Sequence, residues 1–258
     1  MMFKIASWNV NSIRARLELV LDFLKSAQPD VLCMQETKVE DELFPKEAFE
    51  ELGYNVAIAG QKRFNGVATV SKIDLEEIKT DFFDAEKDHK RSIMTKINGI
   101  TIINLYFPNG QAPDTEQFRY KLNFIYELKS FLSNHYSKED NLIILGDFNV
   151  AMEEIDVYDV EQMEGKIGFH PDERRALKDL YSWGFVDLFR KFNTQKAFSW
   201  WDYRAASFWK DRGLRIDYIW STPALANRCR DCFIDKSYRR KKKPSDHAPV
   251  VAVFELEG

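Results

Sequence analysis

Positions 3–8, apolar at Phe3, Ile5, Ala6 and Trp8, read as a buried strand that ends at Asn9-Val10-Asn11. Ser12 then offers an oxygen to cap a helix, and Ile13, Leu17, Val20, Leu21 and Leu24 recur along one face of it. Gln28-Pro29-Asp30 ends that helix, and a second apolar run at 31–34 leads into Gln35-Glu36-Thr37. Short strands are predicted at 56–58, 66–70, 92–97 and 100–105, the last two joined by the hairpin signal Asn98-Gly99. Asp114 is placed to cap a long helix reaching His135, with Phe118, Leu122, Ile125 and Leu128 along its buried side. A strand over 141–145 stops at Gly146-Asp147-Phe148-Asn149. An amphipathic helix covers 172–183, and strands over 214–220, 229–234 and 250–254 close the chain. Hairpins mixed with helical crossovers predict an α/β fold, two sheets packed face to face with helices outside. No Pro/Ser-rich linker, low-complexity tract or repeat interrupts it, so one domain is expected over 1–258.

Composition changes this picture little. Of 258 residues, 45% are hydrophobic, enough for a sizeable core. The 37 Lys and Arg against 41 Asp and Glu leave a net charge of −4, which gives no global attraction to nucleic acid. Locally, Arg239, Arg240, Lys241, Lys242 and Lys243 form a positive run. Cys229 and Cys232 have a C-x-x-C spacing but no second ligand pair. On a strand they would face opposite sides, so free thiols are expected. Sparse cysteines, no signal-peptide pattern at Met1-Met2-Phe3-Lys4 and no apolar run of membrane-spanning length predict a cytoplasmic protein.

The chemistry gathers at strand ends. Asn9, Glu36, Asp147 and Asn149 each close an apolar run. Alone, each reads as the first residue of a turn; together they read as a site at one rim of a sheet. A carboxylate such as Glu36 at that rim suits Mg²⁺. Asp147 and Asn149, two apart, offer an acceptor and a donor to one water. In Ser245-Asp246-His247-Ala248-Pro249 a turn would let Asp246 and His247 line one site, and Asp217, set in an apolar strand, is a candidate to orient the imidazole. His89, His135 and His170 read as solvent-facing or capping. The aromatic run Phe198, Trp200, Trp201, Tyr203, Phe208 and Trp209 fits base stacking or core packing.

Six segments in order, SWNVNSIR at 7–14, LCMQETK at 32–38, NLYFPNG at 104–110, LGDFN at 145–149, LRID at 214–217 and SDHAP at 245–249, resemble the exonuclease III family of apurinic/apyrimidinic endonucleases, within the endonuclease–exonuclease–phosphatase superfamily. The resemblance spans nearly the whole chain. It implies a four-layer α/β sandwich and an Mg²⁺-dependent repair nuclease (Mn²⁺ as a substitute) that cuts duplex DNA 5′ to abasic sites. 3′–5′ exonuclease and 3′-phosphatase activities are implied beside it, and a monomer is expected. Carried over by motif, Glu36 would hold the metal, helped by Asn9 and Asp246. Asp147, with Asn149 beside it, would orient or deprotonate the attacking water. His247, paired with Asp217, would bind the scissile phosphate, with the Tyr106 hydroxyl near it. Asn109 and Lys38 would contact the DNA backbone, and Trp200, Leu214 and Ile216 would receive the flipped-out sugar. Arg239 and Arg240, by their place before Asp246, are expected to contact phosphates.

Two positions depart from patterns among some relatives, and a third bears on the substrate. Asn11 stands where some have an acid, Ala112 where some insert an arginine into DNA, and Gly168 leaves room beside the substrate. Two other readings fit the same fold: a phosphoesterase acting on RNA or small phosphoesters, and a non-catalytic DNA-binding relative. Against the second, every expected catalytic position keeps a competent side chain.

Overall fold

The computed structural model describes residues 1–80, 82–83 and 89–256. In chain order its strands are β1 (Met2–Asn9), β2 (Val31–Gln35), β3 (Asn55–Ala59), β4 (Val67–Ser71), β5 (Glu76–Thr80), β6 (Ser92–Ile97), β7 (Ile100–Tyr106), β8 (Leu142–Asp147), β9 (Val186–Asp187), β10 (Asp217–Ser221), β11 (Cys229–Ile234) and β12 (Val250–Glu255). The helices are α1 (Ile13–Ala27), α2 (Lys46–Glu50), α3 (Glu116–His135), α4 (Val160–Met163), α5 (Pro171–Tyr181), α6 (Leu188–Phe192) and α7 (Pro223–Ala226). They build two six-stranded mixed sheets, ordered β11-β12-β1-β2-β4-β3 and β5-β6-β7-β8-β10-β9. Each sheet has one parallel pair joined by a helical crossover, β1–α1–β2 in the first and β7–α3–β8 in the second.

Three apolar layers hold the sandwich together. Ile5, Cys33, Ile102, Ile143, Ile219 and Ala252 meet between the sheets. Ala6, Trp8, Leu32 and Met34 turn to the other face of the first sheet, against Val20, Phe23 and Leu24 of α1. Ile103, Leu105, Leu142 and Ile144 meet Phe124, Leu128 and Leu177 of α3 and α5. Central strands are thus covered on both faces, which is why they read as unbroken apolar runs rather than alternating ones. Each fully buried Ile, Leu or Phe contributes about 1.5–3 kcal/mol.

Several local expectations need correcting. The long helix is capped by Thr115, whose Oγ1 accepts the Phe118 amide at 3.1 Å, and not by Asp114. Pairing of β10 begins at Asp217; Leu214 instead bridges to Val157 and Trp200. Cys229 and Cys232 do not face opposite sides. A bulge between Cys229 and Asp231 adds a residue, so both thiols are buried, and both are free. The edge strand β5 is exposed along its length and carries no apolar alternation to betray it. His170 caps α5 through Nδ1, 3.2 Å from the Asp172 amide, and His135 stacks on Phe131. Among the described residues, no helix is long and apolar enough to cross a membrane.

Candidate active site

Strand register assembles the site. In the second sheet Tyr106 pairs with Asp147 and Asp147 with Asp217, setting three polar side chains in a row at one rim. In the first sheet Asn9 pairs with Gln35, the residue before Glu36. The two rims meet where the Asn9 amide nitrogen donates to Glu36 Oε1 at 2.8 Å and to Asp147 Oδ2 at 2.9 Å. Gly146 lets β8 lie close against β7 within its own sheet: a Cβ there would lie 1.9 Å from the Leu105 carbonyl oxygen. Glu36 itself is left-handed, at φ 51°, with its carbonyl accepting the Ser12 amide. A non-glycine residue held there marks a place where the fold, not local preference, decides the backbone.

His247 reaches the same point from the turn before β12. Its Nδ1 lies 2.9 Å from Asp217 Oδ2, and its Nε2 lies 3.6 Å from Asp147 Oδ2. Burial by itself would lower the imidazolium pKa. Asp217 and then Asp147 outweigh it and raise the value to about 10, so the ring is a cation at neutral pH. Asp147 is shifted upward to about 7, chiefly by burial, with His247 opposing and Asp217 and Glu36 reinforcing the rise. Burial, Glu36 and Asp147 keep the Tyr106 hydroxyl protonated, a donor rather than an anion. Ser199 was not anticipated, yet its Oγ donates to Asp217 Oδ2 at 2.6 Å and accepts the Ile216 and Asp217 amides at 3.0 Å. The one small polar residue inside an aromatic run was its only signal.

The carboxylates of Glu36 and Asp147 and the imidazole of His247 lie within 4.8 Å of one another, a cluster able to hold a divalent metal. Its carboxylate oxygens suit a hard cation, and His247 has Nδ1 committed to Asp217. The Asn9 Oδ1 accepts the Asn11 amide, so its NH₂ faces the carboxylates. Asp246 stands apart from the cluster, its two oxygens taking the Asn11 amide group and the Trp200 indole, each at 3.0 Å. Lys38 pairs with Glu36 at 2.8 Å and donates to Asn11 at 2.6 Å.

A pocket of about 220 Å³ opens beside these groups. Glu36, Tyr106, Asp147, Asp246 and His247 form its polar wall, and Ile167, Gly168, Trp200, Leu214 and Ile216 its apolar one. Asn109 and Asn149 stand at its edge, 3.5 Å apart through their amides. Arg239 does not belong with the exposed basic run. It is 6% exposed, its guanidinium donates to the Ser245 carbonyl at 2.7 Å, and it lies against the rings of Phe208, Tyr203 and Trp201. Arg240, Lys241, Lys242 and Lys243 are exposed. The aromatic run divides similarly: Trp201 is core, Trp200 lines the pocket and Trp209 is 74% exposed.

Residues 6–247 match the Endonuclease/Exonuclease/phosphatase family. The exodeoxyribonuclease III of Haemophilus influenzae is 39% identical over 97% of this chain and 99% of its own. An AP endonuclease from Archaeoglobus fulgidus superposes with a TM-score of 0.95 at 42% identity, over 98% of this chain and all of its own. A Neisseria 3′ phosphatase bound to a product DNA hairpin gives 0.94 at 36% identity, again over 98% of this chain and all of that one.

Proposed function

Because this chain belongs to the exonuclease III/AP endonuclease family of the endonuclease–exonuclease–phosphatase superfamily, we propose that it is a metal-dependent DNA repair nuclease that hydrolyses the phosphodiester 5′ to an abasic site in duplex DNA. The whole of 1–258 acts as one nuclease domain, as a monomer, with Mg²⁺ as the working ion and Mn²⁺ as a substitute. The observation that carries the reading is the apolar wall formed by Trp200, Leu214 and Ile216 directly beside Asp147 and His247. At about 220 Å³ the pocket lies below the range of about 300–1,000 Å³ that holds drug-sized ligands, which fits a sugar without its base. Flipping into such a pocket costs least where no base is stacked.

Glu36 and Asp147 would hold the ion, and their all-oxygen donor set fits a hard cation. When bound, the ion supplies positive charge to the phosphate and to the leaving 3′ oxygen. The remaining work falls to the chain. Asp147, fixed through Oδ1 by the Asn149 amide at 2.9 Å, orients the attacking water and accepts its proton. His247, aimed by Asp217, donates from Nε2 to a non-bridging phosphate oxygen, and Tyr106 adds a hydroxyl. Asn109, Asn149 and Lys38 contact the backbone on either side.

The deciding experiment is cleavage of a labelled duplex with one abasic-site analogue, beside an intact duplex, with Mg²⁺ and with EDTA. Metal-dependent cutting immediately 5′ to the analogue is expected. The likeness to a Neisseria 3′ phosphatase favours 3′-end processing as the second reading. Removal of a 3′ phosphate without internal cutting would move the function there.

A further inference from the structure

Lys121 of α3 and Glu173 of α5 are both fully buried and paired through Nζ and Oε1. Lys121 Nζ also donates to the backbone carbonyls of Asn109, at 3.1 Å, and Asn149, at 2.7 Å. Glu173 Oε2 accepts the backbone amides of Gly168, at 2.8 Å, and His170, at 3.0 Å. Of five hydrogen bonds, four therefore run to main-chain atoms of loops. Asn109, Asn149 and Gly168 are all pocket residues, and none lies in a helix or strand.

A tie between two helices needs no buried charge, since apolar side chains of the same volume usually hold helices together at least as well. What an ion pair with several donors and acceptors adds is geometry, because each bond is directional and both charged side chains are buried. Resting on the function proposed above, we propose that Lys121 and Glu173 are positioning residues that set the register of the three pocket loops, and so the fit of an abasic sugar against the phosphate-binding groups. Asn9, which neither Lys121 nor Glu173 touches, holds the Glu36 and Asp147 carboxylates across the sheet rims, and the Asn149 amide adds one bond to Asp147 Oδ1.

The test is the double variant Lys121→Met/Glu173→Gln, which removes both charges at nearly constant volume. Four readouts are compared with the wild type: thermal midpoint, Mn²⁺ affinity, hydrolysis of bis(4-nitrophenyl) phosphate, which needs no sugar pocket, and kcat on abasic duplex. Displacing loops by about an ångström should lower kcat on abasic duplex on the order of 100-fold, while Mn²⁺ affinity and small-diester hydrolysis stay within about threefold. Unchanged abasic cutting, or an equal loss on both substrates, overturns the proposal. Should the double variant fail to fold, amide hydrogen exchange in Glu173→Gln decides. Faster exchange confined to Gly168 and His170 supports the pair's role, and unchanged protection there refutes it. A wild-type protein that hydrolyses the small diester but leaves abasic duplex intact would sink the function reading instead, and the exchange experiment would still judge the pair.

Discussion

Two clusters of buried charge start within two residues of each other, at Arg215 and Asp217, and they do opposite things. Around Arg215, Asp156 and Asp187 face Arg215 and Arg190, two acids against two guanidiniums. Nε donates to Asp156 Oδ1 at 2.7 Å, Arg190 Nη2 donates to the same oxygen at 2.5 Å, and Asp187 Oδ2 lies 2.8 Å from Arg215 Nη2 as an ion pair. Around Asp217, the acids Asp147, Glu36 and Asp217 outnumber the cations His247 and Lys38, and the cluster opens on the pocket. Burial raises the carboxyl pKa in both. At Asp156 the arginines reverse it and hold the carboxyl below its usual range; at Asp147 it prevails, to about 7. Matched buried charges lock a fold. An acidic excess beside a cavity leaves attraction unspent, for a metal and for a proton.

The sharpest way to break that comparison is to neutralise one aspartate in each cluster. Asp147→Asn removes the proton acceptor and should slow cutting by about 10²- to 10⁴-fold, with the thermal midpoint unchanged or higher, because an ionised carboxylate no longer has to be buried. Single-turnover cleavage and thermal melts check both. A variant that lost its fold would place Asp147 with the locking charges.

Asp156→Asn should do the reverse: about 3–5 kcal/mol of stability lost, with kcat per folded molecule nearly unchanged at low temperature. The pH sign follows from the depressed pKa of Asp156. Its stabilisation is full above the unfolded carboxyl value of about 3.9 and disappears as pH falls through the lower folded value. Urea midpoints of wild type and variant should therefore converge as the pH is taken from 6 to below 4. A constant gap would show that Asp156 acts by shape rather than charge.

How legible these clusters were depended on whether the needed signal was local. The layered fold and the rim residues Asn9, Glu36 and Asp147 could be read, because each ends an apolar run and the runs have the length of buried strands. The Arg215 cluster could not: Asp156 comes from a 3₁₀ turn, Asp187 from the end of β9 and Arg190 from α6, and only tertiary packing brings them together around Arg215. Asp246 was assigned to the metal by the resemblance alone; in the structure its two oxygens accept from Asn11 and Trp200. Arg239 was grouped with its basic neighbours, and a single 3₁₀ turn carried it inside.

Gly168 tests the pocket half of the comparison. It sits at φ +86°, and a Cβ there would meet Leu214 Cδ1 at 3.5 Å, so a side chain at this position projects into the space assigned to the sugar. Gly168→His should reduce abasic cutting on the order of 100-fold, by displacing the bound sugar, and leave 3′-phosphate removal nearly intact. Normal cutting of abasic duplex by the variant would free Gly168 of any part in substrate choice.

The smallest effect separates neighbours. Arg240 is exposed and Arg239 buried, so one belongs to the charges offered outward and the other to those spent inside. Arg240→Ala should weaken DNA binding and lower the slope of log K against log salt by about 1, the mark of a lost phosphate contact. Arg239→Ala should leave that slope alone. Its guanidinium holds the Ser245 carbonyl, and Ser245 Oγ donates to the Asn9 carbonyl while accepting the His247 amide. Losing it therefore loosens the turn that presents His247, lowering the thermal midpoint and kcat together. Equal flattening of the salt slope in both variants would mean that DNA draws Arg239 out of its aromatic seat, and the division between inward and outward charge would then hold only for the free protein.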